Sequence, residues 1–143
     1  ITGLIRQLKL ESVITLTGFV SETDKFDLLR ASKLFVSPSR REGFGINVLE
    51  AMSLGLPCIL SDIPSFRENF HDVAELIALD DHVQLANSVI ALLSDEERYR
   101  RMSLNGIKLA HELSWQTIAQ KESDDIHELV TYTNRYNKRY GSK

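Results

Sequence analysis

SPSRREGFGINVLEAMSLGLPCILSD, residues Ser37 to Asp62, is the stretch whose reading decides the fold. It reads as a strand end, a glycine-bearing loop, a helix and a second buried strand. After Gly45, the residues Val48, Leu49, Ala51, Met52 and Leu54 recur at helical spacing, and Gly55 stands where a helix commonly ends. Pro57 to Ser61 is a short, continuous apolar run, the mark of a strand covered on both faces. Glu42 and Glu50 bracket the loop and the helix start with seven residues between them. Gly43 and Gly45 follow the first carboxylate, where a backbone can approach a ligand closely.

Outward from this stretch the pattern alternates. Leu4, Ile5, Leu8 and Leu10 predict a helix ending near Glu11, and Val13 to Phe19 (VITLTGF) predicts a strand. Ser21 is placed to cap a helix through Ser32, with Glu22 and Asp24 at its positive end and Phe26, Leu28, Leu29 and Ala31 as its buried side. Leu34 to Ser37 is a strand stopped by Pro38. Pro64 suits the first turn of a short helix to about Phe70, and Val73 to Leu79 is the last strand or an extended segment at the sheet edge. Three helices follow: Asp81 to Leu93, a second opened by a Ser94/Glu97 capping box, and a third after Ser114, through Trp115 to about Tyr136. About four strands alternating with helices imply an α/β fold, a Rossmann-like parallel sheet with flanking helices.

The totals narrow the function classes. At 143 residues the chain has room for one domain with a real core. Its 17 basic and 20 acidic side chains leave a net charge of −3, which gives no basic stripe for nucleic acid. No apolar run approaches the ~20 residues of a membrane span. The single cysteine, Cys58, excludes an internal disulfide framework and fits a reducing, cytoplasmic compartment. Cys58 is expected to pack rather than react. His71, His82, His111 and His127 show no metal-ligand spacing, and nothing identifies one of them as a base. The chain opens on Ile1 inside a helical pattern, so it is expected to be part of a longer protein.

In an open parallel sheet, ligands bind beyond the carboxyl ends of the strands. Gly18 to Val20, Ser37 to Phe44 and Asp62 to Phe66 all fall at such ends. The loop from Glu42 to Ile46 enters a helix whose first N–H groups attract anions. Glu50, a turn into that helix, would repel a phosphate and suits a neutral diol such as a ribose. Glu42 could grip sugar hydroxyls or stabilise positive charge at a reacting carbon. On the plain reading, Glu42 is solvated and Glu50 is a surface helix residue. Arg40 and Arg41 lean toward a diphosphate or form a solvated pair, and Trp115 seals helix packing.

The run EGFGINVLEAMSLGLPCILSD resembles the signature of glycosyltransferase family 4, the retaining sugar-nucleotide transferases of the two-domain GT-B fold. Glu42, Gly43, Phe44, Gly45, Leu49, Glu50, Ala51, Met52, Gly55, Pro57, Ser61 and Asp62 carry the match. Ser37-Pro38-Ser39 and Leu113-Ser114-Trp115 extend it. The resemblance implies that residues 1–143 are most of a C-terminal, nucleotide-sugar-binding domain. Its terminal helix, about 114–140, would reach toward an N-terminal, acceptor-binding domain. Glu50 would hold the ribose. Glu42 would contact the transferred sugar near its anomeric carbon, as nucleophile or as orienter. Backbone groups of Gly43, Phe44, Gly45, Ile46 and Asn47 would meet the sugar and distal phosphate, and Phe19 and Val20 would line the nucleobase pocket.

The donor would be a nucleotide-diphosphate sugar and the acceptor a glycan or lipid-linked sugar, as in polysaccharide biosynthesis. No metal or other cofactor is expected. Two departures stand out. The Arg and Lys that clamp the diphosphate in the family have no counterpart here, and Ile63-Pro64 stands where many members have a Gly-Gly pair. A non-catalytic sugar-nucleotide-binding or scaffolding relative is the alternative. A dinucleotide binder is disfavoured by the lack of G-x-G-x-x-G. Tyr132, Tyr136 and Tyr140 share one face of the last helix with Arg135, Lys138, Arg139 and Lys143 beside them, which suits an interdomain contact or, alternatively, a peripheral membrane contact.

Overall fold

A computed structural model describes residues 1–140, and of Asn134 and residues 136–140 it describes the backbone alone. The tyrosine face expected at Tyr136 and Tyr140, with Lys138, Arg139 and Lys143, lies outside the described side chains. The chain divides into two units, Ile1–Ala31 and a second from Ser32 onward.

The first unit holds α1 (Thr2–Gln7) and α2 (Glu22–Ala31). Ser21 caps α2 as expected, its Oγ accepting the Asp24 N–H at 3.1 Å. Two expectations fail here. Val13 to Phe19 is not a strand: residues 14–18 have no regular structure, and Val13, Ile14, Leu16 and Phe19 are exposed. β-branched residues favour a strand only where a ladder partner and a face to pack on exist, and the other elements of this unit are helices. Nor does α2 have a buried side, since none of its residues is buried. Phe26 instead lies under the cations of Lys25 and Arg30, 5.0 and 5.9 Å from its ring centre.

The second unit is the expected α/β arrangement. Three parallel strands, β1 (Phe35–Ser37), β2 (Cys58–Ser61) and β3 (Glu75–Ile77), lie in the order β1-β2-β3. Val36 is in register with Ile59, and Leu60 with Leu76. The described residues thus hold three strands rather than about four. Every residue of the central β2 is buried, as its continuous apolar run requires. The edge strand β1 buries only Ser37.

Helix α3 (Ile46–Ser53) joins β1 to β2 and ends as the sequence predicts. Gly55 has φ +78°, its N–H bonds Met52 O, and the Leu56 N–H bonds Ala51 O. This is the Schellman arrangement, in which a left-handed residue turns the chain so that two otherwise unmatched carbonyls are satisfied. Helix α4 (Pro64–Phe70) joins β2 to β3 with Pro64 in its first turn. The core has Ile59, Ile77 and Leu92 at its centre, with Val36, Leu85, Val89, Tyr99 and Met102 packed against them.

Helices α5 (His82–Ser94), α6 (Glu96–Glu112) and α7 (Trp115–Tyr140) follow. The residue capping α6 is Asp95, not Ser94: its carboxylate accepts the Arg98 N–H at 2.9 Å. Ser94 is still within α5, its hydroxyl donating to Ile90 O at 2.8 Å. The ionised carboxylate also suits the positive helix end better than a hydroxyl does. Ser114 caps α7 through the Thr117 N–H. Trp115, expected to seal helix packing, is 82% exposed. Gly106 of α6 meets Met52 of α3 so closely that an added Cβ would lie 3.1 Å from Met52 Cγ. Among the described residues no helix is long and apolar enough to cross a membrane.

Candidate functional site

The carboxyl ends of β1, β2 and β3 open onto Ser37 to Glu42, Asp62 and Ala78 to Asp80 respectively. Each of the three segments brings one carboxylate, and the three are partnered differently. Asp80 is paired with Arg40, whose Nη2 reaches both carboxylate oxygens at 2.7 Å. Asp62 is held by the fork of Arg67, Nε to Oδ1 at 2.9 Å and Nη2 to Oδ2 at 2.7 Å. Those hydrogen bonds first, and the guanidinium charge with them, hold the Asp62 carboxyl below its ordinary value against the opposing effect of desolvation. Glu42 has no cationic partner among the described residues. Its Oε1 accepts the Ser39 hydroxyl at 2.8 Å, and Ser39 Oγ lies 3.2 Å from Ser37 Oγ. Because Ser39 gives its proton to Glu42, the Ser37 hydroxyl is the donor in that second contact. The result is a short hydroxyl chain ending on a half-buried carboxylate.

The entry to α3 is built from Gly45. Its φ of +101° lets the chain turn into the helix, and its carbonyl accepts the N–H groups of Val48 and Leu49. A Cβ at this position would lie 2.8 Å from Phe66 Cε1 and 3.2 Å from Phe70 Cε2, so α4 is seated against the bare backbone. Phe44 joins the same aromatic group, edge-on to Phe70 at 5.8 Å between ring centres. At Gly43 an added Cβ would meet nothing within 4 Å.

The N–H groups of Gly43, Phe44, Gly45, Ile46 and Asn47 make no hydrogen bond among the described residues. The next donor, Val48 N–H, is already taken by Asn47 Oδ1 at 3.0 Å and Gly45 O at 2.9 Å. Five consecutive donors at the positive end of a helix can receive phosphate or sugar oxygens. Glu50 is the fifth residue of α3 and half-buried.

Phe19 and Val20 belong to the Ile1–Ala31 unit, where Phe19 is fully exposed and Val20 half-buried. Sequence reasoning missed three features: the Ser37–Ser39–Glu42 chain, the Asp62–Arg67 fork and the Arg40–Asp80 pair. The first was visible as Ser-x-Ser-x-x-Glu leaving a strand, and the second as Asp and Arg five residues apart across a helix start. The third joins residues 40 apart and left no local signal. No group of three or more His, Cys, Asp or Glu able to hold a metal occurs among the described residues.

Comparison with known proteins shows the family. The family described as Glycosyl transferases group 1 matches residues 1–109. The chain is 37% identical over 94 residues to the lipopolysaccharide core biosynthesis mannosyltransferase LpsB of Rhizobium meliloti (strain 1021), covering 62% of this chain and 27% of that protein. It is 31% identical over 106 residues to O-antigen chain mannosyltransferase B of Escherichia coli, covering 74% and 28%. The chain thus spans about a quarter of the length of these relatives.

Among solved structures, sucrose-phosphate synthase from Thermosynechococcus elongatus aligns with a TM-score of 0.77 at 25% identity, over 92% of this chain and 34% of that one. HepE of Anabaena, solved in complex with UDP and glucose, aligns with a TM-score of 0.75 at 22% identity, over 89% and 35%. The shared fold is that of the GT-B glycosyltransferases.

Proposed function

The chain belongs to the group 1 glycosyl transferases, and we propose on that premise that it is the donor-binding part of a retaining transferase using a nucleotide-diphosphate sugar. The observation that carries this reading is the run of five N–H groups from Gly43 to Asn47 that are unbonded among the described residues, next to a carboxylate, Glu42, that no cation among them partners. The N–H groups receive the distal phosphate and sugar oxygens. Glu50, set back on α3, binds the ribose hydroxyls.

In the reaction the bond from the anomeric carbon to the diphosphate oxygen breaks as the acceptor oxygen bonds to that carbon on the same face. The acceptor proton leaves with the diphosphate. The N–H groups and the helix end stabilise the charge growing on that leaving group. Glu42 orients the donor and offsets positive charge at the anomeric carbon, and its hydroxyl chain fixes its rotamer. No metal takes part. Mannose is the first sugar to test, since both curated relatives above are named mannosyltransferases. The acceptor is a glycan or lipid-linked sugar bound outside this rim.

Calorimetry with UDP-, GDP- and ADP-sugars tests the reading. One nucleotide sugar is expected to bind, and Glu50→Ala to weaken it by about 1.5–3 kcal/mol, the worth of hydrogen bonds to a charged group, or roughly ten- to a hundredfold in Kd. Unchanged affinity in Glu50→Ala would remove the ribose assignment. Glu42→Gln is expected to keep donor affinity and lose transfer in the whole enzyme. Wild-type protein that binds a donor but never transfers it would favour a scaffolding relative.

A further inference from the structure

The loop that presents Glu42 is not held by backbone. Residues 40–44 make no backbone–backbone hydrogen bond among the described residues. Side chains hold it instead. The Ser39–Glu42 bond is internal to the loop, Phe44 packs on Phe70 of α4, and Arg40 reaches Asp80 beyond the far strand. Since the strand order is β1-β2-β3, the Arg40–Asp80 pair crosses the end of β2 and ties the outgoing ends of the two outer strands together.

Asp80 is a firm anchor. The Asp81 N–H bonds Ala78 O at 3.2 Å, the His82 N–H bonds Asp80 O at 3.0 Å, and the Ala78 N–H bonds Gln84 Oε1 at 3.0 Å. Asp80 itself has φ +63°, a left-handed conformation that Asp and Asn tolerate better than other side chains. A loop with no ladder, tied to a braced turn, takes its position from the tie.

We propose that the Arg40–Asp80 ion pair is a clasp that sets the position of the Glu42 loop, making both of them positioning residues for donor binding. The inference rests on the donor-site reading above. Arg40 uses one nitrogen on both oxygens, a contact that a lysine ammonium can imitate.

The test uses the whole protein and whichever of the UDP-, GDP- or ADP-sugars the wild type binds. Arg40→Ala and Asp80→Gly, the latter compatible with the left-handed backbone, are each expected to weaken binding about two- to fivefold, the range for an exposed ion pair. The double variant should be no weaker than either single one, and Arg40→Lys should restore most of the affinity. Without ligand, cleavage by trypsin after Arg41 should be faster in Asp80→Gly than in wild type. Loss in Arg40→Ala with none in Asp80→Gly would mean that Arg40 meets the ligand itself, and would overturn the clasp. So would additive losses, wild-type affinity in both variants, or an unchanged cleavage rate. Wild-type protein that binds none of the three sugars overturns the donor-site reading and the positioning role with it, while the cleavage rate still reports whether the pair holds the loop.

Discussion

At Gly45 two constraints coincide, a φ of +101° and the 2.8 Å approach of Phe66 Cε1 to any added Cβ. Phe66 is fully buried, so its ring cannot retreat. Gly45→Ala should therefore cost about 2–5 kcal/mol, combining left-handed strain with overpacking, as measured by urea unfolding. Gly43 is the contrast. It has open space around it, so Gly43→Ala should change stability by no more than about 0.5 kcal/mol while weakening donor affinity if the backbone there meets the ligand. Asp62 gives a pH signature. Its folded carboxyl titrates below the ordinary 3.8 because Arg67 hydrogen-bonds and attracts the ionised form. The folded state therefore binds fewer protons than the unfolded one. The stabilisation is full above 3.8 and is lost as pH falls through the lower folded value. Arg67→Gln should flatten that part of the acid unfolding curve, and an unchanged curve would show that the fork contributes nothing. Cys58 behaves as its place in β2 predicts: burial pushes its thiol up to about 12.

At the scale of elements, the contact that most constrains the helices is α3 on α6, where Gly106 lets Met52 lie against the helix backbone. Gly106→Val should separate the two helices and cost about 1–3 kcal/mol, seen as a lower urea midpoint with the same slope. A midpoint equal to wild type would mean that Met52 simply turns aside. The helices and buried strands of the second unit were legible because their signals are local: the Ser114 cap, the Gly55 terminator, Pro64 in a first turn and the apolar run of β2. The failures came where an element depends on a neighbour far away in sequence. Val13 to Phe19 has strand composition without a ladder partner in its unit, and α2 has an apolar pattern without a burying surface. The same reasoning separates the site's parts. The loop glycines and the two glutamates announce themselves in sequence, whereas Arg40–Asp80 exists only because the strand order brings two loops together. The Ser94/Asp95 exchange has a different cause, since two adjacent capping residues compete and the helix takes the charged one.

For the whole molecule the decisive quantity is coverage. The chain spans about a quarter of the two curated relatives and about a third of the two solved structures. On the proposed reading its rim serves a donor, with the N–H groups at the α3 entry for the phosphate, Glu42 for sugar hydroxyls and Glu50 on α3 for the ribose. Transfer needs more, because an acceptor oxygen must be held in line about 3–3.5 Å from the anomeric carbon, and fixing that geometry supplies much of the rate. The departures noted in sequence add to the argument. Pro64 has no N–H and the Ile63 N–H is taken by Ser61 O at 2.9 Å, so these two positions give no backbone donor to a ligand. On the proposed reading, charge on the diphosphate would be met by helix-start N–H groups, chiefly at the α3 entry, and by cations from elsewhere in the enzyme. Residues 1–143 prepared alone should therefore bind the nucleotide sugar weakly and transfer nothing. The measurement is release of nucleoside diphosphate, with radiolabelled sugar followed into glycan and lipid-linked acceptors, compared with calorimetric binding on the same sample. Binding without release is the expected result. Release that requires an acceptor would mean that the acceptor site lies within these residues, and would overturn the division of labour drawn here between the donor rim and the rest of the enzyme.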